Sequence, residues 1–237
     1  MILRDMREGD IARLVPLWCE CFGDDEATAL DFYRCVGVRG VVAEEDEKIV
    51  SMINIVECAL KLDGKKINGG FVYAACTDPE VRGRGIFRAL NAYAEEYMKK
   101  NGMEFLMLIP AHDGLFAMYR ALGYVNEAYS ASYADTGYAA EFDGDIDKLY
   151  SMYEKNLGKT AFVKSRGLYE YVLGFDDCKA VYTDTSYNLR AADGYIYESA
   201  KIAEISEKPK ALYKWAHEGY DINEKLTVDF FGEDRHV

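Results

Sequence analysis

The segment that most limits what this chain can fold into is Thr77-Asp78-Pro79-Glu80-Val81-Arg82-Gly83-Arg84-Gly85-Ile86-Phe87-Arg88. Before it, FVYAACT (71–77) is apolar and made largely of small residues, and reads as a buried strand. After it, Ile86, Phe87, Leu90, Tyr93, Ala94, Tyr97 and Met98 recur at helical spacing, with Arg88, Asn91, Glu95 and Lys99 off that face. This predicts a helix over 86–100. A strand that turns straight into a helix gathers up to four N–H groups without intrahelical partners at the positive end of the helix dipole. Gly83 and Gly85 let a ligand approach the backbone closely, and Arg82, Arg84 and Arg88 add charge. Such a turn is an anion site suited to a pyrophosphate. It is not a Walker loop, because G-x-x-x-x-G-K-[ST] is absent, and Arg88 stands where a dinucleotide fingerprint needs its third glycine. A basic turn with ordinary helix capping is the plainer alternative. The apolar strands on either side of the turn-helix unit argue against it.

The rest of the first half fits a helix-flanked sheet. Residues 2–4 read as a strand, and Asp10 as the cap of a helix carrying Ile11, Leu14, Val15, Leu17 and Trp18 on one face. Gly23 and the acids after it end that helix, and a second runs through Ala29 to Tyr33. Strands follow at 41–44 and 49–58, with a hairpin tip at Asp63-Gly64. The run FLMLI (105–109) is apolar throughout, as a strand covered on both faces must be. A helix over 114–121 follows it. The second half repeats the rhythm: a strand-like stretch at 129–142, helices at 145–156 and 165–173, strands near 179–183, 194–198 and 201–206, a helix at 209–218 and a last strand from Leu226 to Phe231. The expectation is therefore two domains, 1–128 and 129–237, in an α/β chain built on mixed sheets (α+β).

Composition excludes several classes. The 237 residues carry a net charge of −13, shared as −6 up to residue 128 and −7 beyond it. A basic duplex-binding surface is not expected, so nucleic acid is excluded as a partner. No run approaches the ~20 apolar residues of a membrane span, and the N-terminus has no apolar signal core, so no membrane partner and a cytoplasmic location are expected. The six cysteines (19, 21, 35, 58, 76, 178) show neither C-x-x-C nor zinc spacing, and with three histidines in all no metal is expected. They read as reduced, mostly buried thiols.

Arg82-Gly83-Arg84-Gly85-Ile86-Phe87 resembles the [Q/R]-x-x-G-x-[G/A] hallmark of the GNAT superfamily of acyl-CoA-dependent N-acetyltransferases, with Phe87 in place of the last small residue. Downstream, AHDGLFAMYRALGY resembles that family's N-x-x-A-x-x-x-Y-x-x-x-G-[FY] segment, with Tyr119 and Gly123-Tyr124 on the pattern and His112 where Asn is usual. A narrower likeness is to the Eis-like group, which shares the D-G hairpin, the T-x-P-x-x-R-x-x-G phrase and a second, degenerate GNAT-like module. The resemblance implies a GNAT fold over 1–128. It implies a degenerate module over 129–237 whose turn, Ser206-Glu207-Lys208-Pro209, lacks glycine and a CoA loop. The group's further sterol-carrier-like domain has no room in this sequence, so the terminal-carboxylate role it supports is not carried to Val237.

The resemblance also implies a mechanism. Ala75, Cys76 and Thr77 lend backbone groups to the pantetheine arm of acetyl-CoA. Arg82, Gly83, Arg84, Gly85, Ile86, Phe87 and Arg88 hold its pyrophosphate, and His112 lies on the cofactor side. An amine attacks the acetyl carbonyl directly, and Tyr119 gives the departing thiolate a proton or a hydrogen bond. The base is open: the central strand carries Phe71-Val72-Tyr73 where some members have Glu, which leaves Glu57, His112 or water. Cys76 as an acyl carrier is disfavoured, since the family transfers directly. The acceptor implied is a small, cationic amine. A non-catalytic CoA-binding module and a protein or peptide N-acetyltransferase are the alternatives, and a homo-oligomer is left open.

Overall fold

The computed structural model describes residues 1–228 apart from 138, 139, 142, 143, 175–177, 193, 218, 221 and 223. The chain divides into two units that interleave along the sequence. The first comprises Met1–Cys58, Asn68–Asn126 and Leu212–Gly219. The second comprises Ala59–Ile67, Glu127–Ala211 and the chain from Tyr220. The change at Asn126/Glu127 falls close to the boundary read from sequence, but the hairpin tip and residues 212–219 each belong to the unit on the other side of it.

In the first unit the strands run in the order β1 (Ile2–Asp5), β2 (Arg39–Glu45), β3 (Lys48–Leu62), β4 (Lys65–Thr77), β5 (Phe105–Leu108) and the end of β12 (Ile202–Trp215). Pairing is antiparallel for β1/β2, β2/β3 and β5/β12, and parallel for β4/β5. The four residues of β5 are all buried, as its unbroken apolar run requires. β3 and β4 join through Asp63 (φ 48°) and Gly64 (φ 80°), the two positive φ values a tight hairpin turn demands.

Four helices belong to this unit: α1 (Ile11–Phe22), α2 (Glu26–Cys35), α3 (Ile86–Lys100) and α4 (Gly114–Ala121). Ile86, Leu90, Ala94, Tyr97 and Met98 of α3 bury against Val41, Ile53, Ile55, Val72, Leu106 and Leu108. Asn91, expected off that face, is 3% exposed and accepts a hydrogen bond from the Tyr124 hydroxyl at 3.3 Å. Asp10 precedes α1 as expected, but its carboxylate does not cap the helix. It takes two bonds from Arg4 (2.6 and 2.9 Å) and one from Arg7 N (2.8 Å), which ties β1 to the helix start.

The second unit holds β6 (Asn126–Tyr133), β7 (Ala140–Glu141), α5 (Ile146–Asn156), β8 (Ala161–Lys164), α6 (Arg166–Leu173), β9 (Lys179–Tyr182), β10 (Tyr187–Arg190), β11 (Ile196–Ser199) and most of β12. A sheet in the order β11-β10-β9-β7 packs Ala180, Tyr187 and Leu189 against Leu149, Met152 and Tyr153 of α5 and Tyr169 and Val172 of α6. The two helices lie where periodicity placed them, each with a side-chain cap: Asp145 accepts from Lys148 N and Ser165 from Leu168 N. Lys164 and Glu198 form a buried ion pair at 2.5 Å, and the Tyr187 hydroxyl satisfies the second carboxylate oxygen at 2.8 Å.

Several expectations fail here. The helix expected over 209–218 does not form among the described residues: β12 continues to Trp215. The run PKALYKW is apolar enough for either element, and Leu212 to Trp215 pair with Leu108 to Phe105. β10 was not foreseen. Leu226–Val228 makes only an isolated bridge, Thr227 to Tyr129, and the rest of the expected last strand lies outside the described residues. Of the six cysteines, expected to be mostly buried, Cys58 and Cys76 are buried, Cys19, Cys21 and Cys178 half-buried and Cys35 exposed.

Gly69 on β4 faces Phe105: a β-carbon there would stand 2.3 Å from the ring. Phe105 is fully buried and its ring meets Trp215 edge-on. Gly69→Ala is expected to lower unfolding stability by about 1–3 kcal/mol, the usual cost of overpacking, read as a fall in the urea midpoint at unchanged slope.

Candidate active site

β4 and β5 pair only from Gly70↔Leu106 to Val72↔Leu108. Beyond that point β5 ends and β4 runs on for five residues. Ala74 turns to φ 47°, a region unfavourable for an L-residue. The burial alternation of β4 breaks at Tyr73–Ala75, all half-buried. On the β3 side the strand stays anchored. Ser51 Oγ donates to the Cys76 carbonyl at 2.7 Å and lies 2.7 Å from Thr77 Oγ1, and Asp78 N donates to Val50 O at 2.9 Å. Ala75, Cys76 and Thr77 therefore lie beyond the last pair with β5.

The turn that follows is built from its own polar groups. Asp78 accepts from Glu80 N at 2.9 Å and from Lys48 Nζ at 2.7 Å, and the lysine holds this carboxyl below its ordinary range. Arg82 Nε donates back to Thr77 O at 2.9 Å. Gly83 (φ 78°) and Gly85 (φ 79°) are both left-handed, and no side chain caps α3. The first intrahelical bond there is Ala89 N to Gly85 O. The amides of Ile86, Phe87 and Arg88 thus have no partner within the helix, the kind of helix end at which anions can bind.

The cavity between this turn and α4 has a volume of about 660 Å³, in the range of small-molecule and cofactor sites. Of the residues singled out from sequence, it brings together Ala75, Cys76, Thr77, Arg82, Gly83, Gly85, Ile86, Phe87, Arg88, His112 and Tyr119. Arg84 is not on its wall: both guanidinium nitrogens bond the Glu45 carboxylate, at 2.9 and 3.0 Å. Glu57 is absent from it as well, exposed and paired with Arg39 at 3.1 Å. His112 is exposed on the wall, and its carbonyl accepts from Leu115 N at the start of α4. Cys21, Phe22, Leu115 and Met118 also line the cavity and were not foreseen. For Cys21 and Phe22 the signal was faint, since only the fold shows that α1 ends here.

Tyr119 is 8% exposed, held edge-on by Phe87 (6.2 Å between centroids) and Tyr124 (5.8 Å). Burial, with a smaller contribution from the nearby Cys76, pushes its phenol up to about 12, so the hydroxyl keeps its proton at neutral pH.

A strand freed from its parallel neighbour, an uncapped glycine-rich helix start and a buried phenol opposite them agree with the match of residues 3–126 to the acetyltransferase (GNAT) domain model. The chain belongs to the GNAT acetyltransferase family. Solved GNAT structures share its fold. Eis1 of Mycobacterium abscessus superposes with a TM-score of 0.67 at 13% identity, covering 91% of this chain and 74% of its own. A GCN5-related N-acetyltransferase of Anabaena variabilis gives 0.61 at 14%, over 85% and 59%. One from Kribbella flavida gives 0.60 at 16%, over 94% and 66%. This GNAT chain thus spans between about three fifths and three quarters of those proteins' lengths. No curated protein matches its sequence. Among the described residues, no helix is long and apolar enough to cross a membrane.

The left-handed backbone at Gly85 gives the turn a direct test. A β-carbon there meets no atom within 4 Å, so Gly85→Ala exposes the backbone cost alone. Stability is expected to fall by about 1–2 kcal/mol, read from the denaturant midpoint. An unchanged midpoint would show that the turn adopts another conformation.

Proposed function

We propose that this GNAT protein transfers the acetyl group of acetyl-CoA directly to a primary amine of a small cationic acceptor. The observation that carries the reading is the convergence, in one cavity, of the unpaired stretch of β4, the uncapped start of α3 and the protonated Tyr119. In this reading the amides of Ile86 to Arg88 with Arg82 and Arg88 take the pyrophosphate, and the backbone of Ala75 to Thr77 takes the pantetheine amides. The acyl carbon then lies where β4 parts from β5, within reach of an amine lone pair. Holding both reactants there supplies much of the rate. The C–N bond forms as the C–S bond breaks. A phenol near pKa 12 is a weak acid, so Tyr119 serves the leaving sulfur chiefly as a hydrogen-bond donor. Among the described residues no carboxylate stands on the wall, and the ammonium proton leaves by water or by His112. The net charge of −13 favours a cationic acceptor over an anionic one. In the second unit Ser206 to Pro209 lie inside strand β12 rather than at a strand-to-helix turn, which supports a module without a CoA loop of its own.

Turnover is read by mass spectrometry of acceptors, in a panel of amines and peptides with acetyl-CoA. Acetylated polyamines or other small cations are expected, and acetylated peptides alone would move the assignment to the protein-directed alternative. Tyr119→Phe is expected to lower kcat by about 10²–10⁴ with acetyl-CoA affinity unchanged. An unaltered kcat would remove Tyr119 from the mechanism. Acetyl-CoA at ~100 Kd is expected to stabilise the protein by ~2.7 kcal/mol in thermal unfolding. Stabilisation with no acceptor turned over would favour the non-catalytic module.

A further inference from the structure

Two thiols meet on the wall of the cavity. Cys21 lies in the last turn of α1, and Gly23, at φ 80°, ends that helix two residues later. Cys76 lies one residue before the end of β4. Cys21 Sγ stands 3.7 Å from the Thr77 carbonyl oxygen and 3.8 Å from Arg82 Nη2, while Arg82 Nε bonds that same oxygen. The Cys21 sulfur thus rests against the carbonyl of the residue that follows Cys76, and both thiols line the cavity that also holds Tyr119. Cys21 is half-buried, Cys76 buried.

The charges around the pair split it. The neighbouring Cys76 thiol, and after it the Arg82 guanidinium 3.8 Å away, lower Cys21 to about 7, against its burial and the carboxylate of Glu20. Cys76 is pushed far up by the neighbouring Cys21 and by burial, with Asp78 acting the same way and Arg82 against it. A thiolate accessible from the cavity thus stands next to a protonated thiol. That is the arrangement of an attacking and a resolving sulfur.

We propose that Cys21 and Cys76 form a redox-active dithiol, a site of thiol–disulfide exchange for a small disulfide that enters the cavity. Given the acetyl-CoA reading, on which this choice rests, the fitting oxidant is the disulfide form of coenzyme A. Its anionic ends suit Arg82, Arg88 and the α3 amides. Cys21 thiolate attacks one sulfur of the disulfide, and one thiolate leaves. Cys76, losing its proton to water, attacks Cys21 Sγ in the mixed disulfide, and the second thiolate leaves. Two protein thiols are oxidised, and one disulfide is reduced to two thiols. Acetyl-CoA, held in the same cavity, protects the pair.

The test is exposure of the reduced full chain to CoA disulfide or to neutral hydroxyethyl disulfide, read by intact mass and peptide mapping. CoA disulfide is expected to give a Cys21–Cys76 cross-link, a loss of two hydrogens, about tenfold faster than the neutral disulfide does. Cys76→Ser is expected to stop at one CoA moiety on Cys21, and Cys21→Ser to yield neither product. The rate at Cys21 is expected to rise about tenfold per pH unit and level off above about 7, as thiolate formation completes. Saturating acetyl-CoA is expected to slow it at least tenfold. A cross-link missing from a wild type that still unfolds at its reduced temperature, or modification of exposed Cys35 as fast as of Cys21, overturns the dithiol. A cross-link formed equally fast by both disulfides overturns coenzyme A as the oxidant. If acetyl-CoA also neither protects nor stabilises the protein, the acetyl-CoA reading itself falls while the dithiol stands.

Discussion

Ala74 is held at φ 47°, where an L-residue without a local hydrogen bond from its own side chain loses about 1–2 kcal/mol. The site depends on that one distortion, because it is where β4 changes from a strand paired on both sides to a strand anchored on one. The anchoring is polar and buried. Asn54, fully buried, reaches the Ala74 carbonyl at 3.4 Å and is itself fixed by the Tyr33 hydroxyl at 3.0 Å. Ser51, also fully buried, holds Cys76 O and Thr77 Oγ1. These groups have no water to turn to, so each bond lost leaves a buried polar atom uncompensated. The β3 side is thereby over-determined, which lets the opposite edge part from β5 without the strand collapsing.

The same economy of partners shapes the turn. Asp78 is spent on Glu80 N and Lys48, Arg82 on the Thr77 carbonyl, and Arg84 on Glu45. What remains unsatisfied is backbone: the first amides of α3, which no side chain caps. A capped helix start would be more stable alone, since a cap contributes about 1 kcal/mol. Leaving it uncapped keeps three donors for an anion, arranged by a backbone that two left-handed glycines define.

Much of this was legible in the residues. The turn, α3, β5 and α4 were readable because each is punctuated: glycines at 83, 85, 102 and 123, and the apolar run FLMLI between the last two. Cavity membership followed for eleven of the residues named in advance. Arg84 was not separable from Arg82 and Arg88, because its fate depends on Glu45, 39 positions away. Asn91 looked like a solvent-facing helix residue until Tyr124 was brought beside it. The failure at 209–218 has a different origin. The run after Pro209 suits either element locally, but it joins β5 on its open edge, and a pairing 104 residues distant overrides local preference.

Charge is divided between the body of the protein and its cavity. The chain carries −13, yet among the described residues the lining of the cavity includes Arg82 and Arg88 and neither Asp nor Glu. With screening over about 8–10 Å at physiological salt, the acidic exterior acts weakly on a phosphate already seated against two guanidiniums and the amides of a helix start. It acts fully on a cation approaching from solution. The pairing of Arg84 with Glu45 lowers the positive charge near the cavity and leaves the first amides of α3 in place. The field at the cavity is therefore local, and the field of the whole chain is long-ranged. An acidic chain can carry a basic cavity because the two fields act over different distances.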